Sequence, residues 1–320
     1  MKFNQLEDLI KNSKNILLIS HINPDGDAIG SVSSLYTTIY DNFKKKSDIL
    51  VIGHLPNCYK YLPNIDKAMF KYDDSMVYDL VITLDVASLD RISGAKILFE
   101  KAKQTANIDH HKTNIEFGDF NVVYPKYSST GEVLLEIYNS LEWKISKESA
   151  IGLYTAILTD TGGFRYENTS EGVFKSAAQL VGLGINPNEI YKQCYELKSK
   201  NFVMFQNYCI NKAEFTNNDK VAYTTVYKRD IENFNGEDDF SEGLVETLRA
   251  IESTDIAFIA KEIDSKTTKI SMRSKSADVS EICGVYGGGG HTFAAGCTIK
   301  TDAKGAVKRM LKTIQEKING

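Results

Sequence analysis

Apolar runs and amphipathic stretches alternate along the first half of the chain. Ile16 to Ile19 and Leu80 to Leu84 are short apolar runs suited to strands buried on both faces. Segments near 48–53, 105–109 and 121–124 predict three more strands. Between them, apolar residues return at helical spacing, as in Ala28, Ile29, Val32, Leu35 and Ile39. Helices are predicted near 27–41, 129–141, 146–159 and 171–182. This alternation predicts an α/β fold, a mostly parallel sheet with helices on both faces. After Gly184-Ile185-Asn186-Pro187, segments 187–197 and 200–212 read as polar-faced helices. Strands near 220–228, 255–262, 267–273 and 296–300 then mix less regularly with helices near 242–251 and 303–318, which suits a smaller α+β domain. The expected organisation is a first domain over 1–190, a helical linker over 191–214 and a second domain over 215–320.

Chemistry gathers where the predicted strands end. His21, Asp25 and Asp27 follow the first apolar run within seven residues, around the turn formers Asn23, Pro24 and Gly26. Asp85 ends the run Leu80 to Leu84, and Asp109-His110-His111 ends another short strand. Asp160 closes the mostly apolar helix over 151–158, ahead of Thr161-Gly162-Gly163. Taken singly, Asp25 and Asp27 are equally explained as caps of the following helix, Asp85 as a cap and His110 as a satisfied interior imidazole. Together they place carboxylates and imidazoles at one edge of the sheet, where open α/β folds hold their ligands. His with closely spaced carboxylates suits Mn²⁺, Fe²⁺ or Zn²⁺. Of the five His in the chain, His54 in Gly53-His54-Leu55-Pro56 stands apart and reads as a loop residue.

His21-x-x-x-Asp25-x-Asp27, Asp85, Asp109-His110-His111 and Thr159-Asp160-Thr161-Gly162 resemble the four motifs of the DHH phosphoesterase family, in the family's order. Gly287-Gly288-Gly289-Gly290-His291, followed by Ala294-Ala295-Gly296, resembles the signature of the DHH-associated C-terminal domain. Size and tail are similar to the oligoribonuclease and pAp-phosphatase branch. The resemblance implies two divalent metal ions, usually Mn²⁺, in a cleft between the two domains. His21, Asp25 and Asp85 would hold one ion; Asp27, Asp85, His110 and Asp160 would hold the other, with Asp85 bridging. Ions so paired activate water for attack on phosphorus and offset the charge that grows there. His111 would face the phosphate as a donor or general acid, and Asp109 would orient an imidazole without binding metal itself.

In the second domain, the glycine run leaves backbone N–H groups open to close approach by an anion. With Arg273, which can grip phosphate bidentately, Gly288, Gly289, Gly290 and His291 form the expected substrate-binding set. Phe293 suits stacking on a base as well as it suits a core position. Ser129-x-x-Glu132 is a capping-box pattern that opens the helix at 129.

Charged residues make up 25% of the 320 and hydrophobic ones 42%, within the globular range. A net charge of −4 lacks the basic excess of proteins that bind long duplex nucleic acid. It favours short RNA or a small phosphorylated nucleotide. The five cysteines are scattered without CxxC spacing, which fits free thiols in a reducing compartment. The first residues include Glu7 and Asp8 and lack an apolar core of signal-peptide length, and no apolar stretch is long enough to span a membrane. The expectation is a cytoplasmic hydrolase that cleaves short oligoribonucleotides, 3′-phosphoadenosine 5′-phosphate, or both, with a homodimer left open. Alternatives are a cyclic or linear dinucleotide phosphodiesterase, a manganese inorganic pyrophosphatase, or a non-catalytic nucleotide sensor.

Overall fold

The computed structural model describes residues 3–236 and 238–319, apart from the side chains of residues 238, 239, 291, 318 and 319. The chain divides into two compact units, Met1–Leu197 and Lys198–Gly320. In the first, helix α1 (Asn4–Asn12) precedes β1 (Ile16–Ser20), α2 (Gly26–Phe43), β2 (Ser47–Leu50) and β3 (Leu80–Leu84). Then come α3 (Lys96–Lys101), β4 (Gln104–Asp109), β5 (Phe120–Val123), α4 (Thr130–Ser140), α5 (Lys147–Asp160), α6 (Glu171–Gly182) and α7 (Pro187–Tyr191). All five strands are parallel, in the order β2-β1-β3-β4-β5.

Both faces of this sheet are apolar, as the unbroken hydrophobic runs demand. Ile16, Leu18, Ile82 and Ile108 face a core shared with α2, α4 and α5, while Leu17, Ile19 and Val81 face a thinner layer that includes Leu98 and Phe99 of α3. The strand order turns back between β1 and β3, and at such a switch point the carboxyl ends of the strands diverge to leave a crevice. His21 follows β1, Asp85 follows β3 and Asp109 ends β4, so all three stand at that edge.

Helices α2 and α5 pack backbone to backbone. A Cβ built on Gly30 would lie 2.6 Å from the Gly152 carbonyl oxygen, and one on Gly152 would lie 2.6 Å from that of Gly30. Ser34 and Thr38 continue the row along α2 and meet Ser149 of α5 through hydroxyl contacts of 2.9 and 2.7 Å. At the other end Gly26 leaves room for Thr159, the residue before Asp160. A four-residue repeat of small side chains thus brings the start of α2 against the end of α5.

The second unit contains α8 (Lys200–Asn211), β6 (Glu214–Thr216), β7 (Val221–Val226), α9 (Lys228–Asn233), α10 (Leu244–Arg249), β8 (Ile256–Asp264), β9 (Thr267–Ser274), α11 (Val279–Gly284), β10 (Gly289–His291), β11 (Ala294–Ile299) and α12 (Ala303–Asn319). Its sheet is mixed, in the order β10-β11-β9-β8-β7-β6, with only β7 and β8 parallel. Phe258, Ile270 and Met272 face α11 and α12, whereas Ala257 and Ile259 face Phe205 of α8 and Leu244 and Leu248 of α10. Among the described residues, no helix is long and apolar enough to cross a membrane.

Gly30→Ala is expected to destabilise the protein by about 1–3 kcal/mol through overpacking, although alanine favours an isolated helix by about 1 kcal/mol. At Gly182, at the end of α6, an added Cβ meets nothing within 4 Å, so Gly182→Ala should be neutral or stabilising. Urea unfolding of both variants checks this; equal midpoints would show that the α2–α5 contact yields freely.

Candidate metal centre

Local chemistry explains how each polar group reaches the sheet edge. Asp25 is the N-cap of α2 and accepts a hydrogen bond from Ala28 N at 3.1 Å. Its other oxygen lies 3.7 Å from His21 Nε2, so the cap of α2 and the approach to His21 use opposite oxygens of one carboxylate. Asp27, in the first turn of α2, is turned toward the start of α4. It accepts from Thr130 N (2.8 Å), Gly131 N (3.0 Å) and Ser31 Oγ (3.1 Å), so that it sits on the positive end of α4. Ser129 is the N-cap of that helix, its hydroxyl accepting from Glu132 N at 3.1 Å.

Asp85 occupies the centre. Its backbone takes φ +61°, a left-handed conformation that costs a non-glycine residue energy and is retained where surrounding structure enforces it. Asp85 Oδ2 lies 3.5 Å from His21 Nε2. Asp85 Oδ1 lies 3.7 Å from His110 Nε2 and 3.5 Å from His111 Nδ1, and accepts from Thr130 Oγ1 at 3.1 Å. The two oxygens therefore address different groups. His110 Nε2 also approaches Asp27 Oδ2 at 3.6 Å and Asp160 Oδ2 at 3.5 Å. Its Nδ1 meets the Tyr127 carbonyl at 3.3 Å, and His21 Nδ1 meets the Ile22 carbonyl at 3.0 Å. Each ring thereby turns Nε2 toward the carboxylates, as carbonyl-held imidazoles do at metal sites.

These residues fit divalent cations. Separations of 3.5–3.7 Å are long for hydrogen bonds but close to the edges of about 3.0–3.4 Å that bonds of about 2.1 Å impose on ligands sharing one ion. His21, Asp25 and Asp85 form one group able to hold a metal, and Asp27, His110 and Asp160 form another; Asp85 also groups with His110 and His111.

Electrostatics divides the cluster. Burial, together with the charges of Asp85, Asp160 and Asp25, holds the Asp27 carboxyl well above its ordinary range. Burial and the charges of Asp25 and Asp85 do the same to Asp160. For Asp85 burial also pushes upward, but the His21 contact and the surrounding imidazoles prevail and the net shift is downward. Burial disfavours the charged His21 ring, yet Asp25 and Asp85 outweigh it and raise His21 to about 10. His111 is raised to about 9 by Asp109 and Asp85 against a similar opposition. Carboxylates crowded in this way are stabilised by added positive charge.

Asp109 is fully buried beside this cluster. Its Oδ1 lies 2.7 Å from His111 Nδ1, and its Oδ2 accepts from Asn114 Nδ2. Asn107 ties Asn114 to the sheet by accepting its second amide contact at 2.8 Å. Sequence reasoning passed over Thr130, Asn114 and Ser31. Asn114 stands three positions after the His pair, and Thr130 immediately after a capping serine; those positions were the available signals.

The second-unit residues behave differently. Gly289 and Gly290 lie in β10, an edge strand paired antiparallel with β11, and not in an open loop. A Cβ on Gly288 would fall 2.2 Å from Gly296 O and one on Gly290 2.4 Å from Ala294 O, whereas one on Gly289 would meet nothing within 4 Å. Arg273 Nε pairs with Glu246 Oε1 at 3.0 Å. The His291 side chain lies outside the described residues.

A family model described as "DHH family, N-terminal domain" matches residues 15–157, and one described as "DHHA1 domain" matches residues 218–320. The chain is a DHH-family phosphoesterase with a DHHA1 domain. A relative from Thermus thermophilus, "Bifunctional oligoribonuclease and PAP phosphatase NrnA", is 27% identical over 95% of this chain and 90% of that protein. The protein of the same name from Bacillus subtilis is 29% identical over 89% of each. The crystal structure of an exopolyphosphatase-related protein from Bacteroides fragilis superposes with a TM-score of 0.90 at 26% identity, covering 98% of this chain and 96% of that one.

Under chelation, Asp160→Asn should raise the melting temperature by about 2–4 °C, because it removes one of several mutually repelling carboxylates. With excess divalent ion the order should reverse, since an amide brings no charge to the ion. A midpoint that does not rise in chelator would show that the crowding is relaxed without metal.

Proposed function

We propose that this chain uses two divalent ions, Mn²⁺ by preference, to hydrolyse short oligoribonucleotides and 3′-phosphoadenosine 5′-phosphate. The observation that carries the reading is Asp85, whose two oxygens face separate donor groups. The names of the Thermus and Bacillus relatives, aligned over most of their lengths, supply the substrate class. His21, Asp25 and Asp85 would hold one ion, and Asp27, Asp85, His110 and Asp160 the other. Ions there would neutralise charge on the phosphate and bring the pKa of water toward neutrality.

The chain's own groups then have definite tasks. Asp109, braced by Asn114, fixes the tautomer and direction of His111 through Nδ1. His111 donates to a phosphate oxygen, or to the 3′-oxygen as it leaves. Water adds to phosphorus, the bond from phosphorus to the 3′-oxygen breaks, and that oxygen departs with a proton. Thr130 holds Asp27 and Asp85 in register with each other.

In the second unit, Arg273 pairs across the sheet with Ala294, which pairs with the backbone of His291, so the three positions form one row across β9, β11 and β10, and Arg273 and Ala294 share one face. We assign the nucleotide's 5′-phosphate and base to this face, with Arg273 and the bare backbone at Gly289 as its polar contacts. Gly288 and Gly290 support the face by letting β10 lie close against β11.

A panel of 5′-labelled RNAs of two to ten nucleotides, beside the bisphosphate nucleotide, a cyclic dinucleotide and pyrophosphate, tests the reading. Mn²⁺-dependent turnover of the shortest RNAs and the bisphosphate is expected, lost on chelation and lowered about a thousandfold in Asp85→Ala. Turnover confined to the cyclic dinucleotide or to pyrophosphate would overturn it. His111→Asn should lower kcat by about 10²–10⁴-fold while Mn²⁺ affinity, read by calorimetry, stays within about threefold. Loss of metal binding in that variant would move His111 from donor to ligand.

A further inference from the structure

Beside the metal-centre carboxylates Asp25 and Asp160 lies a cavity of about 170 Å³ whose remaining walls include Tyr59, Tyr166 and Tyr195. All of these residues belong to the first unit. Tyr166 is 43% exposed, yet it is firmly placed. Its N–H and that of Arg165 both donate to the Thr161 carbonyl, at 3.0 and 2.9 Å, and its own carbonyl accepts from Thr169 N at 3.0 Å. Gly162, at φ +58°, allows the ring to lie directly against its backbone: a Cβ there would fall 2.3–2.5 Å from the aromatic carbons. Tyr195 is anchored by its hydroxyl, which donates to the Leu158 carbonyl at 3.2 Å. Aromatic faces held rigid and partly open, next to a centre that breaks phosphate esters, are suited to stacking a base. The acidic walls disfavour a further phosphate there and leave an uncharged ring system as the better occupant.

The two substrate classes of the proposed function differ in one respect. Each presents a nucleoside 5′-phosphate whose 3′-oxygen carries the scissile phosphorus. Beyond that phosphorus the bisphosphate carries nothing, whereas RNA carries a second nucleoside. We propose that the tyrosine-lined cavity is the subsite for this second nucleoside, with its base stacked on Tyr166. The proposal rests on the phosphoesterase reading and deepens it. Stacking uses the π-face that every base has, so the subsite selects for the presence of a second nucleoside and not for its identity.

The test compares kcat/KM for a 5′-phosphorylated dinucleotide with kcat/KM for the bisphosphate, as a ratio within each variant. The ratio cancels losses of folded protein or of metal that affect both reactions alike. Tyr166→Ala should lower the ratio about tenfold, within the range that stacking one base supplies, through a higher KM for the dinucleotide. Tyr166→Phe, which keeps the ring, should retain the wild-type ratio. A Tyr166→Ala ratio within threefold of wild type overturns the subsite, as does a Tyr166→Phe ratio that falls as far as the alanine variant's. Wild-type protein that hydrolyses neither substrate would overturn the phosphoesterase reading itself; wild-type turnover of both with an unmoved ratio in Tyr166→Ala removes only the subsite.

Discussion

The close approach of α2 and α5 is the constraint from which the first unit's chemistry follows. Each glycine in a helix interior costs about 1 kcal/mol relative to alanine, and this pair of helices spends two where they cross, Gly30 and Gly152. The return is distance. With carbonyl groups in van der Waals range of the opposing Cα, Asp27 at the start of α2 and Asp160 at the end of α5 both come within 3.6 Å of one imidazole nitrogen on His110. A methyl group at either crossing point would part the helices and lengthen both contacts together. The hydroxyl ladder of Ser34, Thr38 and Ser149 then fixes the sliding register, which apolar packing alone would leave soft.

A scaffold of this rigidity is needed because the groups it assembles repel one another. Asp85 is compensated by imidazoles on either side, while Asp27 and Asp160 are pushed toward protonation by burial and by neighbouring carboxylates. The start of α4 offsets part of this by turning two amide donors toward Asp27. Left-handed backbone at Asp85 is a further local cost. Strain and crowded charge collect at one sheet edge, and the packed strands and helices behind it supply the stability that permits them.

The sequence displayed the strands and most of the site because both leave strong local signatures. Apolar runs of strand length marked β1 and β3 within a residue of their ends, and the residue after each was His21 or Asp85, two of the groups that meet at the candidate centre. Residue pattern alone marked Asp160 as the polar stop of an apolar helix, and the resemblance of Thr159-Asp160-Thr161-Gly162 to a family motif is what added it to the candidate site. The small-residue row through Gly26, Gly30, Ser34 and Thr38 escaped notice because such residues contribute little to a hydrophobic pattern; their meaning depends on what lies opposite in α5. Thr130 and Asn114 were silent for a similar reason. Neutral polar side chains after a cap or a turn are commonplace in sequence, and only their partners, Asp85 and Asp109, distinguish them.

The glycine run shows how one composition can hide several demands. At Gly287 the backbone takes φ +70° as the chain leaves α11, which favours glycine on conformational grounds. At Gly288 the demand is steric, since β11 passes too close for a side chain, and Gly290 combines the same crowding with φ +149°. Strand propensity predicts none of this, because glycine is depleted from strands and β10 exists through its pairing with β11. Gly289 is the exception, with no positive φ and no neighbour within reach of a Cβ. Among the described residues, none asks for glycine there. The backbone at 289 is therefore open along that edge of the sheet, which is where the nucleotide is assigned.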